Sequence, residues 1–219
     1  QNVLAHYYTV HEVNLKTRTT LTGFDAIVLN QPKEEFSEED VYKIDQFLMK
    51  GGVGVFMVDI VSVDATNVSG EGTGGIPVEL GLDNLFFKYG IRFNRDLILD
   101  LSAGVFPVVV GNIGEQPQVR LMPWPFYPEL NHYSEHVLVK NIDATVAKFV
   151  STIDTVKSVG IKKTPLIFTS QNTRVMKAPI SISLNDLRDE LKPEFFNSGH
   201  LPIAWLLEGN FSSVFKNRI

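Results

Sequence analysis

Three side chains able to do chemistry stand where an apolar run gives way to a polar one. Asp59 closes VGVFMVD, Ser170 follows PLIFT, and Glu208 follows IAWLL. An acid and a hydroxyl beyond strand ends are the parts of a hydrolase-like site, and ligands of parallel α/β sheets bind at that edge. The neighbours Thr169 and Gly209 belong to the same candidate edge. Ser and Asn after a strand also cap turns, which is their commoner use.

Other chemistries are closed or incomplete. The chain has no cysteine, so thiolate nucleophiles, thiolate metal sites and disulfides are absent, and no GxSxG elbow occurs. His132 and His136 in NHYSEH have helical metal-pair spacing, but Tyr133 occupies the position where a zincin carries its glutamate, and no third ligand accompanies them. Neither a metal nor a cofactor is expected. SGEGTGG, with Gly70, Gly72, Gly74 and Gly75, follows Asp59 and precedes an expected helix, the polarity of an anion site. It lacks a lysine and is longer than a phosphate-binding turn, so it reads as a mobile surface loop, with Gly72 and Gly74 kept on the candidate ligand edge. In PWPFYP, Trp124, Phe126 and Tyr127 form either an aromatic patch for a partner or a rigid connector that buries its own rings.

The elements that must position these residues begin with an apolar run at residues 26–29. SEEDVYKIDQFLMK follows, with Ser37 as N-cap, Asp40 three residues on, acids in the first turn, and Val41, Ile44, Phe47 and Leu48 on one face. Gly51-Gly52 then stops this helix, and residues 53–58 form the next apolar strand. Here the order is helix, glycine, strand, the reverse of a phosphate cradle. Strand, helix and strand with short links predict a βαβ unit within a parallel sheet. A second helix is predicted over 78–89 with Gly90 as its stop, and extended segments at 91–93 and 97–99. Residues 7–15 alternate as a strand does. Beyond residue 100 strands and proline-rich turns dominate, with a short helix at most over 185–191. The expectation is an α/β body over 1–100, with a parallel, flavodoxin-like sheet, and a strand-rich extension over 101–219 packing on it.

At 219 residues and 44% hydrophobic content the chain can bury a real core. Its net charge of -5 offers no basic footprint for nucleic acid or an anionic membrane surface. No run of about 18 apolar residues is present to span a bilayer. The first residue is Gln1, so the chain reads as a processed form or an excised segment.

Several segments in order resemble a known family. FDAIVLNQP, IDQFLMKGG and VGVFMVD are similar to the opening βαβ of the GldG-like auxiliary proteins of ABC transporters, which include a gliding-motility component. LDNLFFKYGIRFNRDLILD, MPWPFYPEL, FVSTID, TPLIFTSQNTR and PIAWLLEGNFSSVFKNR look like later segments of that family. The resemblance implies a substrate-binding or auxiliary domain on the periplasmic face of the inner membrane, tethered by membrane segments outside these residues. It implies a permease and an ATPase as partners, and gliding or surface-protein export as the process in some members. It also implies a body like class I glutamine amidotransferases, whose activity needs a cysteine that this chain lacks. Three readings follow: a non-enzymatic recognition domain, a small-molecule or carbohydrate enzyme using Asp59, Ser170 and Glu208, and a structural assembly module.

Overall fold

A computed structural model describes residues 3–68, 72–114, 116–184 and 191–216. In chain order the elements are β1 (Ala26–Asn30), α1 (Glu38–Met49), β2 (Val53–Met57), β3 (Val61–Val63), β4 (Thr73–Pro77) and α2 (Asp83–Tyr89). Then come β5 (Ile91–Phe93), β6 (Asp96–Asp100), β7 (Ala103–Ile113), β8 (Gln116–Leu130), β9 (His132–Tyr133) and β10 (Thr145–Val146). The last are β11 (Ile153–Thr155), β12 (Ile161–Phe168), β13 (Thr173–Lys177), β14 (Ile180–Ile182) and β15 (Pro202–Gly209).

The local βαβ unit forms as its signals predict. Ser37 and Asp40 make a reciprocal capping box, the Ser37 hydroxyl accepting from the Asp40 amide at 3.2 Å and the Asp40 carboxylate accepting from the Ser37 amide at 3.3 Å. Gly51 leaves the helix at φ +91°, a left-handed conformation open to glycine without a side-chain penalty. β1 and β2 then pair in parallel, Ala26 opposite Val53 through Asn30 opposite Met57.

The parallel-sheet, flavodoxin-like or amidotransferase-like body does not follow from that unit, and the expectation is corrected here. β1 and β2 form a two-stranded sheet, and the other strand pairs among the described residues are antiparallel. Parallel strands need cover on both faces. Here α1 and α2 cover one face, where Ile27, Leu29 and Phe56 pack, while Val28, Val53, Val55 and Met57 face outward and stay exposed. The later strands go elsewhere: β5 pairs with β11, β6 with β13, and β4 lies between β3 and β14. Sheets therefore join strands from both sides of residue 100.

The glycine segment is the second departure. Thr73–Pro77 is a strand, with Gly74 opposite Ser181 and Gly75 opposite Ile180 and Val63. Glycine is depleted in strands because it has no side chain to pack, which is why the sequence alone reads as loop. At Gly75 a Cβ would come 2.7 Å from Ile180, so the close approach of β14 itself calls for glycine. Gly70 lies outside the described residues, as does nearly all of the helix expected over 185–191.

α2 is shorter than its apolar periodicity predicts, because Gly81 adopts φ +74° and delays the helix to Asp83. Gly90 caps it at φ +98°. Residues 7–15 carry no ladder: Val13 and Leu15 pack on the first core, and the Leu15 carbonyl accepts from Lys43 at 2.9 Å.

Two buried clusters result. One gathers Ile44, Phe47, Leu82, Leu85 and Tyr89 from the helical side, with Phe211 and Val214 from the C-terminal segment packed against it. The other gathers Leu97, Leu99, Trp124, Phe126, Tyr127 and Ile182.

Candidate functional site

Asp59 stands just beyond β2, at the carboxyl edge of the parallel pair. β1 ends by turning at Gln31, which adopts φ +47° and donates its amide to the Met57 carbonyl at 2.7 Å. That turn aims the Gln31 side chain at Asp59: Oδ2 of Asp59 accepts from Gln31 Nε2 at 3.0 Å and from Lys33 Nζ at 3.3 Å. The Asp59 side chain is 28% exposed. The result is a small polar edge of amide, ammonium and carboxylate, able to exchange hydrogen bonds with a hydroxyl or amide of a ligand or partner.

Thr169 and Ser170 sit in a different environment, committed to structure. Asp100, fully buried at the end of β6, accepts from the Ser170 amide at 2.7 Å, the Ser170 hydroxyl at 2.5 Å and the Ser102 amide at 2.8 Å. Ser170 Oγ in turn accepts from the Asn172 amide at 3.0 Å. Thr169 Oγ1 accepts from the Leu201 amide at 2.9 Å and donates to the Ser170 carbonyl at 3.1 Å. A buried carboxylate with several donors locks strands together, and the Ser170 hydroxyl, which gives its one proton to Asp100 and accepts from the Asn172 amide, is committed to that lock.

Glu208 and Gly209 end β15. Glu208 lies opposite Lys162 at 3.8 Å and is half exposed, while Gly209 at φ +138° touches the Gly160 backbone so closely that no side chain fits. In the same β12–β15 pair, Phe168 meets Pro202 at one end and Lys162 meets Glu208 at the other. Ser170 and Glu208 are thus separated by the length of a strand, roughly 20 Å at about 3.3 Å per residue. Gly74 belongs to β4, and Gly72 directly precedes that strand, lying at φ +90° against the Ile182 carbonyl. Thr169 and Ser170 are neighbours joined by the Thr169 hydroxyl to the Ser170 carbonyl, and among the described residues no hydrogen bond or ion pair links Asp59, that pair and Glu208. Trp124, Phe126 and Tyr127 are buried in the second cluster, around Phe106 and Phe149.

His132 lies in a strand, its ring 5.3 Å from that of His200, and His136 opens the turn that follows, so the pair has no common helix face. Among the described residues no group of three or more His, Asp or Glu side chains is placed to hold a metal ion.

A buried carboxylate that residue patterns left unremarked is Asp45. It sits on the inner side of α1 and is fully buried; Oδ1 accepts from Tyr89 Oη at 2.9 Å and the Val214 amide at 3.0 Å, and Oδ2 from Ser213 Oγ at 2.7 Å and Gln46 at 3.1 Å. Burial, and then the Asp45 charge, push the Tyr89 hydroxyl far above its ordinary range, so it stays a neutral donor. The position was detectable in sequence: Asp45 falls next to Ile44 and four residues after Val41, on the apolar stripe. Next to this clamp lies a cleft of about 510 Å³ bordered by Tyr42, Gln46, Phe211 and Phe215. A second, of about 360 Å³, lies between Asp154, Val175 and Trp205. None of the sequence-chosen candidates borders either.

The family described as "ABC-type uncharacterized transport system" matches residues 1–219. The chain belongs to that family. A curated relative, an uncharacterized protein of Borreliella burgdorferi, is 26% identical over 220 residues, covering 95% of this chain and 41% of the relative. The chain thus spans about two-fifths of that relative's length. No solved structure matches. That family is one of auxiliary components of ABC-type transport systems. Among its described residues no helix is long and apolar enough to cross a membrane.

Proposed function

We propose that this chain is a recognition domain of an ABC transporter complex, GldG-like in kind, acting by binding and without covalent chemistry. It works beside a permease and an ATPase at the periplasmic face of the inner membrane, held there by segments outside these 219 residues. Gliding or surface-protein export is the process this reading assigns in bacteria that perform either. The full-length match to the transport family carries the proposal.

The geometry supports binding over catalysis. The acid at Asp59, the hydroxyl at Ser170 and the acid at Glu208 occupy separate neighbourhoods, and the proton of the hydroxyl is engaged by the buried Asp100 carboxylate. A hydrolytic site needs nucleophile, base and oxyanion donors within about 3 Å of a common point. The Gln31, Lys33 and Asp59 edge is by contrast polar, accessible and placed beyond two strand ends.

Affinity purification of the full-length protein from membranes tests this reading. Co-recovery of a transporter permease and ATPase is expected. Recovery without either overturns it. Replacing Asp59 and Lys33 by Ala separates the edge from the complex: loss of a bound ligand or partner with the fold intact would assign recognition to that edge.

A further inference from the structure

The hairpin of β7 and β8 carries a surface that water does not favour. Register places Val105 opposite Pro123, Pro107 opposite Leu121 and Val109 opposite Val119. Directly opposite residues share a face, and alternate residues along a strand share it too. These six side chains therefore form one stripe, and all six are exposed, Leu121 at 63% and Val119 at 58%. The other face carries Phe106 and Met122, which turn inward, and Arg120. A ribbon wetted on one side normally alternates apolar in and polar out. Here the wet side is apolar as well.

We infer that this stripe is a homodimer contact, in which the hairpin of one chain lays its outer face on the same face of a second copy. Three observations select that occupant. Charge is the first: the chain carries a net charge of -5, so two copies repel except where the surface is neutral, and residues 103–123 hold only Glu115 and Arg120, neither in the stripe. Area is the second. The chain exposes 13938 Å², whereas a compact monomer of its mass exposes about 10,000 Å². The stripe presents on the order of 500 Å², at the upper end of what a monomer leaves open in one patch, and an isologous pair would bury roughly 1,000 Å², the threshold of a specific interface.

The third observation rules against other occupants. Pro107 in β7 and Pro117 and Pro123 in β8 remove ladder donors, so the hairpin is poorly suited to adding a partner's strand at its edges and offers its face instead. Tip-first insertion into a bilayer is disfavoured by placement, because Asn112, Gln116 and Gln118 lie nearer the end of the hairpin than the stripe does. They would have to enter the hydrocarbon first.

Sedimentation of the 219-residue chain over a concentration series tests the inference. A monomer–dimer equilibrium is expected, with Val109→Glu and Leu121→Glu each raising its Kd at least tenfold while circular dichroism and the melting curve of the monomer stay as in the parent. Because the chain has no cysteine, Val119→Cys supplies a single thiol, and mild oxidation should give a hairpin-to-hairpin disulfide dimer. A chain that stays monomeric to millimolar concentration overturns the proposal. So does a dimer that ignores both glutamates and leaves the Val119→Cys thiol uncoupled, since its contact would then lie elsewhere, such as the open outer face of β1 and β2.

Discussion

The two halves of one hairpin meet opposite fates. Near its base, Trp124, Phe126 and Tyr127 are buried with Phe106 and Phe149 in a tilted and edge-to-face aromatic cluster, the Phe106 and Trp124 centroids 4.4 Å apart. A few residues further out on the same strands, Val105, Val109, Val119 and Leu121 stand in water. Composition does not separate the halves, because both are apolar and rich in proline and β-branched or aromatic residues. What separates them is cover: β6 packs on β8, and Leu97, Leu99 and Ile182 share a buried cluster with the base rings, whereas the outer residues join no such cluster. The same contrast appears at β1 and β2, whose inner face meets two helices and whose outer face meets none. An apolar strand is buried only if the topology supplies a second layer.

Trp124→Ala should break the base of the hairpin outright. It removes the largest fully buried side chain and leaves a cavity among four other rings, so about 3–5 kcal/mol of stability should be lost, read as a lower urea midpoint. If that variant melts like the parent, the aromatic cluster is not what anchors the hairpin. Asp100→Ala comes next. It strands the Ser170 amide and hydroxyl and the Ser102 amide one residue before β7 begins, and should cost about 2–3 kcal/mol. A cost no greater than that of an exposed substitution would show that water satisfies those donors.

A pH series sharpens the contrast at the buried end. Burial raises the Asp96 carboxyl above 3.8, against the opposing hydrogen bonds from the Thr152 amide and hydroxyl; the Asp154 charge pushes the same way as burial, and Lys177 opposes it. The folded state then holds a proton that the unfolded chain has released, so this group's contribution falls as pH rises from 3.8 through the raised folded value. Asp96→Asn should flatten that part of the stability profile. An unchanged slope would assign the acid-range dependence to another group. The smallest effect belongs to the outer stripe. At dilute concentration Leu121→Ser should shift monomer stability by no more than about 0.5 kcal/mol, because little packing is lost there. A loss like that of Trp124→Ala would mean that the stripe is part of the monomer's core.

Much of the site was legible only as a set of strand ends. Asp59 stands at the edge the pattern assigned to it, because β1, α1 and β2 form from local signals and Asp59 follows directly. Ser170 and Glu208 were equally well marked as ends of apolar runs, yet they stand at opposite ends of one strand pair. An apolar run does not state which strand it will join. Asp45 and Asp100, fully buried acids that each accept several hydrogen bonds, bond to residues as distant in sequence as Ser213 and Ser170.

The amino-acid sequence by itself determined the features whose causes lie within a few residues: the capping box at Ser37 and Asp40, the stop at Gly51, the cap at Gly90, and the apolar stripe of α1. Their energies come from neighbours one helical turn away, so no distant contact is needed to predict them. Tertiary structure alone decided that Thr73–Pro77 becomes a strand, that β6 pairs antiparallel with β13, and that one face of the parallel pair and one face of the hairpin stay open. Those outcomes depend on ladders closed across a hundred residues in the case of β4 and β14. Local propensity is silent on such pairings, because burial against distant partners is what selects them.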